Sequence, residues 1–392
     1  MLTAATQPPS AEERAHSGRV AAAIRRRILA AAGWIPFSRF MEAALYEPGL
    51  GYYVTERPIF GEAGDFVTAP ELSPLFAACV ANGIADLLAR AGGGDVVEFG
   101  AGSGRLAARV AASLVDRGAP LGRYRIVEPS PALAARQRER IAALPGLRGR
   151  FEWLDGAPAG RWRGVAFANE VVDALPVDRF RITATGVEAL GVVASGEGFD
   201  FAARPADGTL AQAVAAIQAA LPTRMPPGYV SELRPGQRAW LRDATTSLER
   251  GAILIVDYGL PRAQYYHPSR DGGTLCAFRR HARIADVLAD AGIQDLTAWV
   301  DFSALADDAL YAGLELGGFA TQAHFLIATG IERELKRLTE GADERERAAH
   351  RQFAATMMLP GEMGERFKAM ALVRGIRGPF AGFGFRDLAE SL

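Results

Sequence analysis

The sequence predicts an α/β fold in which helices cover both faces of a mostly parallel sheet. Short apolar segments alternate with helical segments from residue 74 onward, and a glycine-rich turn joins one apolar segment to the next helix. The 392 residues are 49% hydrophobic and 23% charged, which is typical of a globular chain. No run of about 20 apolar residues is present, so we expect no membrane span.

The elements follow from the local pattern in chain order. Helices are expected at 18–33, after a lead-in without regular structure, and at 37–46, 75–90, 103–118 and 131–144, where Pro131 takes the favoured first position. Strands are expected at 95–100, 124–130, 150–155, 164–170 and 251–259, and the segments 177–186 and 188–195 are expected to extend or decorate the same sheet. Residues 302–360 are expected to be mostly helical.

These elements predict four regions. They are N-terminal helices and a lid loop at 1–73, a Rossmann-like core at 74–301, a helical cap at 302–364, and a last core strand with a tail at 365–392.

Charge and cysteine content indicate which binding partners and which cellular compartment to expect. The 44 basic residues balance 45 acidic ones, so a nucleic-acid partner is not expected. Two cysteines make neither a disulfide framework nor a metal site of familiar spacing, and no metal is expected. The N-terminus lacks an apolar signal-peptide core. We therefore expect a reducing bacterial cytoplasm, with the bacterial origin suggested by the arginine-rich, lysine-poor composition.

The glycine-rich turn carries the strongest chemical signal, with Glu98, Gly100, Gly102 and Gly104 spaced as E-x-G-x-G-x-G. Glycines at a strand-to-helix turn let the backbone bend tightly and approach a ligand. A dinucleotide fingerprint would place its third glycine where Arg105 stands. The Glu98 carboxylate suits an amino group and a sulfonium better than two phosphates, which suggests S-adenosylmethionine. The alternative is that Glu98 is a cap or turn residue at the end of the strand.

Acidic residues also follow the neighbouring strands. The strand at 124–130 brings Glu128 to its end, where a carboxylate can accept hydrogen bonds from ribose hydroxyls. The strand at 164–170 ends in Asn169 and Glu170, with Asp173 close behind, as candidates for the reacting face. The alternative is that Asn169 caps a helix and Asp173 lies in its first turn.

Two further segments could contribute to the same cleft. The loop between residues 46 and 74 is irregular and rich in glycine and proline, and could close over the ligand through Asp65 and Thr68. The alternative for this loop is an Asx-type turn with a solvated glutamate. Asp257 and Tyr258, at a strand end, either line an acceptor channel or form a turn.

These motifs resemble the MidA family of class I S-adenosylmethionine-dependent methyltransferases. The resemblance rests on EFGAGSGRLA, IVEPS, NEVVDALPVDRF, FGEAGDFVTAPELS and ILIVDYG and covers about residues 46–372. It implies a Rossmann-like methyltransferase with a seven-stranded, mostly parallel sheet and an added helical region. It further implies that Glu98 and the three glycines line the methionine side of the cofactor, that Glu128 holds the ribose, that Asp155 faces the adenine, and that Asn169, Glu170 and Asp173 lie at the methyl-transfer face.

The family includes a mitochondrial complex I assembly factor with protein arginine methyltransferase activity. The resemblance therefore implies a protein arginine N-methyltransferase acting on a respiratory complex I type subunit, with a protein as partner. A small-molecule methyltransferase and a non-catalytic assembly chaperone are the alternatives. A nicotinamide oxidoreductase is disfavoured by Arg105. A homodimer is compatible with the sequence.

Overall fold

The computed structural model describes residues 8–55, 73–147 and 149–392. The chain divides into two compact units. The core unit comprises 67–172, 238–260 and 302–392, and the second unit comprises 1–66, 173–237 and 261–301. Both units are discontinuous in sequence. The segments 173–237 and 261–301, which the sequence analysis assigns to the core, belong to the second unit, and their strands between residues 178 and 297 pair only within this unit.

The elements of the described residues have the following bounds. The α-helices are α1 (Ala11–Ala30), α2 (Phe37–Tyr46), α3 (Pro74–Ala91), α4 (Arg105–Asp116), α5 (Pro131–Ala142), α6 (Gly208–Ala220), α7 (Gln237–Thr245), α8 (Arg262–Tyr265), α9 (Phe302–Tyr311), α10 (Gln322–Ala328), α11 (Ile331–Thr339), α12 (Glu344–Met358) and α13 (Met363–Arg366). The strands are β1 (Ile35–Pro36), β2 (Gly94–Phe99), β3 (Leu121–Val127), β4 (Phe151–Leu154), β5 (Trp162–Asn169), β6 (Asp178–Ile182), β7 (Val187–Ser195), β8 (Gly198–Pro205), β9 (Val230–Leu233), β10 (Leu248–Leu260), β11 (Cys276–Arg279), β12 (Ala282–Ile284), β13 (Asp295–Thr297), β14 (Val300–Asp301), β15 (Glu315–Thr321) and β16 (Phe367–Arg374).

The sheet of the core unit confirms the predicted α/β class. Its strands follow the order β15-β16-β10-β5-β2-β3-β4. Strands β10, β5, β2, β3 and β4 are parallel to one another, whereas β16 is antiparallel to both β10 and β15. The chain order reverses between β2 and β5, and ligands of open α/β sheets bind at the carboxyl ends of strands beside such a reversal.

Burial explains why these segments form a covered parallel sheet. Residues 251–257 of β10 are all buried, so the strand is a continuous apolar run rather than an alternating one. One face of the sheet contributes Val96, Tyr124 and Phe167 to a core cluster that also contains the apolar faces of α3 and α4.

Local signals fix the helix starts that flank the sheet. Ser73 caps α3 by accepting a hydrogen bond from the Leu75 amide at 3.1 Å, and Pro74 follows as the first helical residue. Pro131 is the first residue of α5, as predicted, behind the cap Ser130. The cap at Ser130 sets where the chain turns from the end of β3 into α5.

Three expectations from the sequence differ from the structure. Helix α1 starts at Ala11 rather than near residue 18, because Ser10 and Glu13 form a reciprocal capping box. The segment 302–364 contains β15, which joins the core sheet, so it is not purely a helical cap. The segments 177–186 and 188–195 do not extend the core sheet; β6 and β7 pair with each other in antiparallel register.

The second unit has its own sheets and core. Strands β1, β7, β6 and β9 form one antiparallel path with β8 added on β7, and β12, β11 and β13 form a smaller sheet. Helices α1 and α2 bury Ile24, Phe37 and Phe40 in a cluster with Val192 of β7 and Ala277 of β11. This unit therefore buries an apolar core of its own.

Among the described residues, only α3 is long and apolar enough to cross a membrane, with a mean hydropathy of 1.3. In the structure 67% of this helix is buried inside the protein, as expected of a helix in a protein core.

Candidate active site

The glycine turn lies at the carboxyl end of β2 and leads into α4. Gly100, Gly102 and Gly104 have φ values of 65°, 54° and 76°, in the left-handed region that favours glycine. Gly104 also occupies the N-cap position of α4. A Cβ on Gly100 would lie 2.9 Å from Cγ2 of Val171, closer than such atoms pack. The turn therefore requires glycine both for its backbone conformation and for its proximity to the chain after β5.

Glu128 follows β3 directly and is 8% exposed. Its Oε1 accepts a hydrogen bond from the Ser130 amide at 2.9 Å, and its Oε2 accepts one from Nε2 of Gln137 at 3.0 Å. Burial raises the pKa of Glu128, and these hydrogen bonds oppose the rise. Each oxygen has a second lone pair, so the carboxylate could still accept from a pair of ribose hydroxyls.

Gln137 was not predicted, yet it connects three parts of this site. The side chain is completely buried. Its Nε2 also donates to the carbonyl of Gly102 at 3.0 Å, and its Oε1 accepts from Nε1 of Trp153 at 3.0 Å. Gln137 thus ties the glycine turn, the Glu128 carboxylate and β4 to one another.

Glu98 is 2% exposed, and its carboxyl faces Tyr124 on β3. The Tyr124 hydroxyl donates to Oε2 of Glu98 at 2.5 Å. Burial raises the pKa of Glu98 to about 7, while the hydrogen bond from Tyr124 lowers it. Glu98 is the second-last residue of β2, just before the glycine turn. The contact of its carboxyl with a cofactor stays a prediction.

We expect Glu98→Gln to remove a pH dependence of stability. Between the ordinary pKa of 4.5 and the folded value of about 7, the unfolded chain has lost a proton that the folded chain retains. Stability from this residue is therefore fully present below pH 4.5 and decreases as the pH rises to about 7, by roughly 3 kcal/mol. Glutamine stays neutral and can still accept from Tyr124.

Urea unfolding at pH 5 and pH 8 checks this prediction. The difference between the two free energies of unfolding should shrink in Glu98→Gln but persist in Glu139→Gln, whose side chain is exposed on α5. Equal pH dependence in both variants would show that Glu98 is ionised in the folded protein throughout this range.

Asp155 comes directly after β4 and is exposed. The Glu128 amide donates to the Leu154 carbonyl at 3.0 Å, which holds the ends of β3 and β4 together. Asp155 and Glu128 therefore follow adjacent strands at one edge of the sheet. The structure is compatible with the predicted adenine contact of Asp155, which stays a prediction.

Asn169 and Glu170 stand at the end of β5, and both are half-buried. Nδ2 of Asn169 donates to Oε1 of Glu170 at 3.2 Å. Glu170 has a φ of 52°, a left-handed conformation that is uncommon for a residue with a side chain. No helix follows Asn169, so the alternative that Asn169 caps a helix is wrong.

The remaining predicted site residues are Asp173, Asp65 and Thr68. Asp173 belongs to the second unit, is 4% exposed, and accepts at its backbone carbonyl from the Ala298 amide at 3.1 Å. The lid residues Asp65 and Thr68 lie outside the described residues. Within the described ranges, no group of three His, Cys, Asp or Glu side chains is arranged to hold a metal ion.

The carboxyl edge of the core sheet thus carries acidic residues at the ends of four strands: Glu98 within the last two residues of β2, and Glu128, Asp155 and Glu170 directly after β3, β4 and β5. Three left-handed glycines between β2 and α4 bring backbone close to this edge. Such a site fits a ligand with hydroxyl and cationic groups better than a polyphosphate. The residues present therefore fit S-adenosylmethionine.

Comparisons with known proteins agree with this chemistry. A family model described as "Putative S-adenosyl-L-methionine-dependent methyltransferase" matches residues 79–320. The mitochondrial protein arginine methyltransferase NDUFAF7 homolog of Drosophila melanogaster is 29% identical, over 94% of this chain and 89% of that protein. The protein arginine methyltransferase NDUFAF7 of Homo sapiens is also 29% identical, over 87% of this chain and 80% of that protein.

Two solved structures from Burkholderia thailandensis are similar over almost the whole chain. One is bound to S-adenosyl-homocysteine and is 39% identical, with a TM-score of 0.93 over 99% of this chain and 100% of that chain. A native structure is also 39% identical, with a TM-score of 0.89 over the same shares.

Proposed function

Because the chain belongs to this family of S-adenosyl-L-methionine-dependent methyltransferases, we propose that it methylates arginine in a protein, specifically in a subunit of a respiratory complex of the complex I type. The observation that carries the proposal is Glu170, a carboxylate held in a left-handed turn beside the glycine turn of the cofactor site. The names of the curated relatives support arginine as the acceptor. The resemblance to the MidA family supports the complex I type subunit.

The proposed cofactor contacts follow the carboxyl edge of the sheet. Gly100, Gly102 and Gly104 would line the methionine part together with Glu98, and Glu128 would hold the ribose, aligned by Gln137. Asp155 would face the adenine. When bound, S-adenosylmethionine supplies an electrophilic methyl group on a positively charged sulfur. Asp65 and Thr68 stay proposed contacts of the lid loop.

Methyl transfer to arginine requires a group that binds and activates the guanidinium, and a carboxylate can do both. A guanidinium has a pKa above about 12 and a delocalised lone pair, so it is a weak nucleophile. A carboxylate can bind the guanidinium through two hydrogen bonds and localise charge on one of its nitrogens. We assign this contact to Glu170, which can also accept the proton that the arginine loses. Asn169 would orient Glu170, and Asp173 is proposed as a second acidic contact.

The proposal includes a cytoplasmic location in a bacterium. Both cysteines, Cys79 and Cys276, are free thiols, which is compatible with a reducing compartment.

Methylarginine mapping in a deletion strain tests the proposed acceptor. Respiratory complexes from the wild-type, the deletion strain and a complemented strain would be compared by mass spectrometry. We expect at least one methylarginine that disappears on deletion and returns on complementation. Unchanged methylarginine together with loss of a methylated metabolite would favour a small-molecule acceptor. Restored assembly by a variant that binds no cofactor would favour the non-catalytic chaperone.

A further inference from the structure

The turn that follows β5 adopts a conformation that its own sequence does not favour. Glu170 has a φ of 52°, and left-handed backbone at such residues persists only where the surroundings enforce it. Valine at positions 171 and 172 prefers extended backbone and gives no turn signal of its own. Groups outside the turn must therefore hold it.

The end of β10 provides those groups. The amide of Glu170 donates to the Val256 carbonyl at 2.9 Å. The next two amides, of Val171 and Val172, both donate to Oδ2 of Asp257, at 3.3 and 3.0 Å. Three consecutive amides of the turn thus bond to two consecutive residues of one strand.

The Asp257 carboxylate is oriented for this contact. The residue is completely buried, and its Oδ1 accepts from the Tyr258 amide at 2.9 Å. Lys368 lies opposite Asp257 in the sheet, but its Nζ donates to the carbonyl of Glu365. Both carboxylate oxygens of Asp257 therefore accept from backbone amides, which favours a structural contact over the lining of an acceptor channel.

The same turn also contacts the cofactor site. Cγ2 of Val171 lies 2.9 Å from the position that a Cβ on Gly100 would occupy, so Val171 packs against the first glycine. A shift of Val171 would move Glu170 on one side and free space under Gly100 on the other. The hydrogen bonds of Asp257 therefore fix Glu170 relative to the glycine turn.

We propose that Asp257 is a positioning residue for methyl transfer, which acts by holding Glu170 in its left-handed turn beside Gly100. The inference rests on the role proposed for Glu170. Asparagine at 257 keeps the volume but places an N–H group against amides that already donate, so it cannot serve both sets of contacts.

Hydrogen exchange measures whether Asp257 holds the turn at Glu170 in place. In Asp257→Asn, exchange in peptides that cover 168–174 should accelerate more than in peptides elsewhere in the core unit. Asp95→Asn is the matched control, because Asp95 also accepts from a backbone amide, that of Arg123 at 2.8 Å, but at the amino end of β2. Asp95→Asn should leave exchange in 168–174 unchanged.

Ligand affinities measure whether Asp257 acts through the Glu170 carboxylate, and they do not require the acceptor protein. The probes are S-adenosylmethionine and sinefungin, which carry positive charge at the reacting position, and S-adenosylhomocysteine, which does not. We expect Asp257→Asn and Glu170→Gln each to reduce the preference for the charged ligands by about tenfold, which corresponds to about 1.4 kcal/mol. The double variant should lose no more than either single one, because both changes remove one effect.

The outcomes separate the inference from the proposed function. No binding of any probe to the wild type would refute the proposed function itself. Faster exchange in Asp257→Asn with an unchanged ligand preference would reduce Asp257 to a purely structural residue and overturn the inference. A loss of preference in Asp257→Asn but not in Glu170→Gln would also overturn it, because Asp257 would then act through another group.

A second variant covers the case in which Asp257→Asn does not fold. Asp257→Asn combined with Glu170→Gly replaces the strained residue by one that adopts positive φ without cost. This double variant should fold, because glycine at 170 removes the backbone strain that the contacts of Asp257 offset. If it fails to fold as well, Asp257 is needed for the fold as a whole and the inference is wrong.

Discussion

Gly100→Val is expected to abolish the binding of S-adenosylmethionine, with affinity reduced more than about 100-fold. Gly100 has a φ of 65°, where a β-branched residue is strongly disfavoured, and a new side chain would collide with Val171. The backbone of the turn would have to move, and with it the surface that we expect to contact the methionine part. Calorimetric titration with S-adenosylmethionine measures the loss.

Gly118→Val is the matched control for this prediction. Gly118 has a φ of 63°, close to that of Gly100, but a Cβ there would meet no atom within 4 Å. Both variants should lose stability through backbone strain, of the order of 1–3 kcal/mol. Only Gly100→Val should lose the ligand. Affinity within tenfold of wild type in Gly100→Val would place the cofactor away from this turn.

Glu170→Ala is expected to abolish turnover while leaving the affinity for S-adenosylhomocysteine, which carries no positive charge at the reacting position, within about threefold of wild type. The variant removes the group that we propose to hold the guanidinium and accept its proton, and such groups contribute on the order of 10²–10⁴ in rate. Calorimetry gives the affinity, and the methylarginine level in the complemented deletion strain gives the turnover.

Glu139→Ala supplies the comparison for Glu170→Ala, because Glu139 is an exposed glutamate on α5. It should restore methylarginine fully. If Glu170→Ala abolishes cofactor binding, Glu170 belongs to the cofactor site rather than to the acceptor. If it restores methylarginine like the control, the carboxylate has no part in the reaction.

The predictable parts of the site are those that one short segment specifies. The turn from Gly100 to Gly104 and the carboxylate of Glu128 each follow a buried strand, so strand periodicity and residue type suffice to place them. The family resemblance added Asp155. The start of α1 is also encoded locally, since Ser10 and Glu13 have capping-box spacing.

The parts that could not be predicted depend on which strands lie side by side. Gln137 acts by joining the glycine turn to β4, and Tyr124 by facing Glu98 from a neighbouring strand. Asp257 contacts Val172 only because β10 pairs with β5. Periodicity within a segment carries no information on such partners. For the same reason the sequence predicts β6 and β7 as strands but does not predict the sheet to which they belong.

The position of β16 has a consequence for the synthesis of the protein. Residues 367–374 insert between β10 and β15, which are both made earlier. During synthesis, most of the chain therefore emerges from the ribosome while the edges of β10 and β15 still lack β16 as their partner. Unpaired strand edges are the surfaces through which chains aggregate. The nascent protein stays vulnerable until its final segment emerges, and truncation at the carboxyl terminus would make that state permanent.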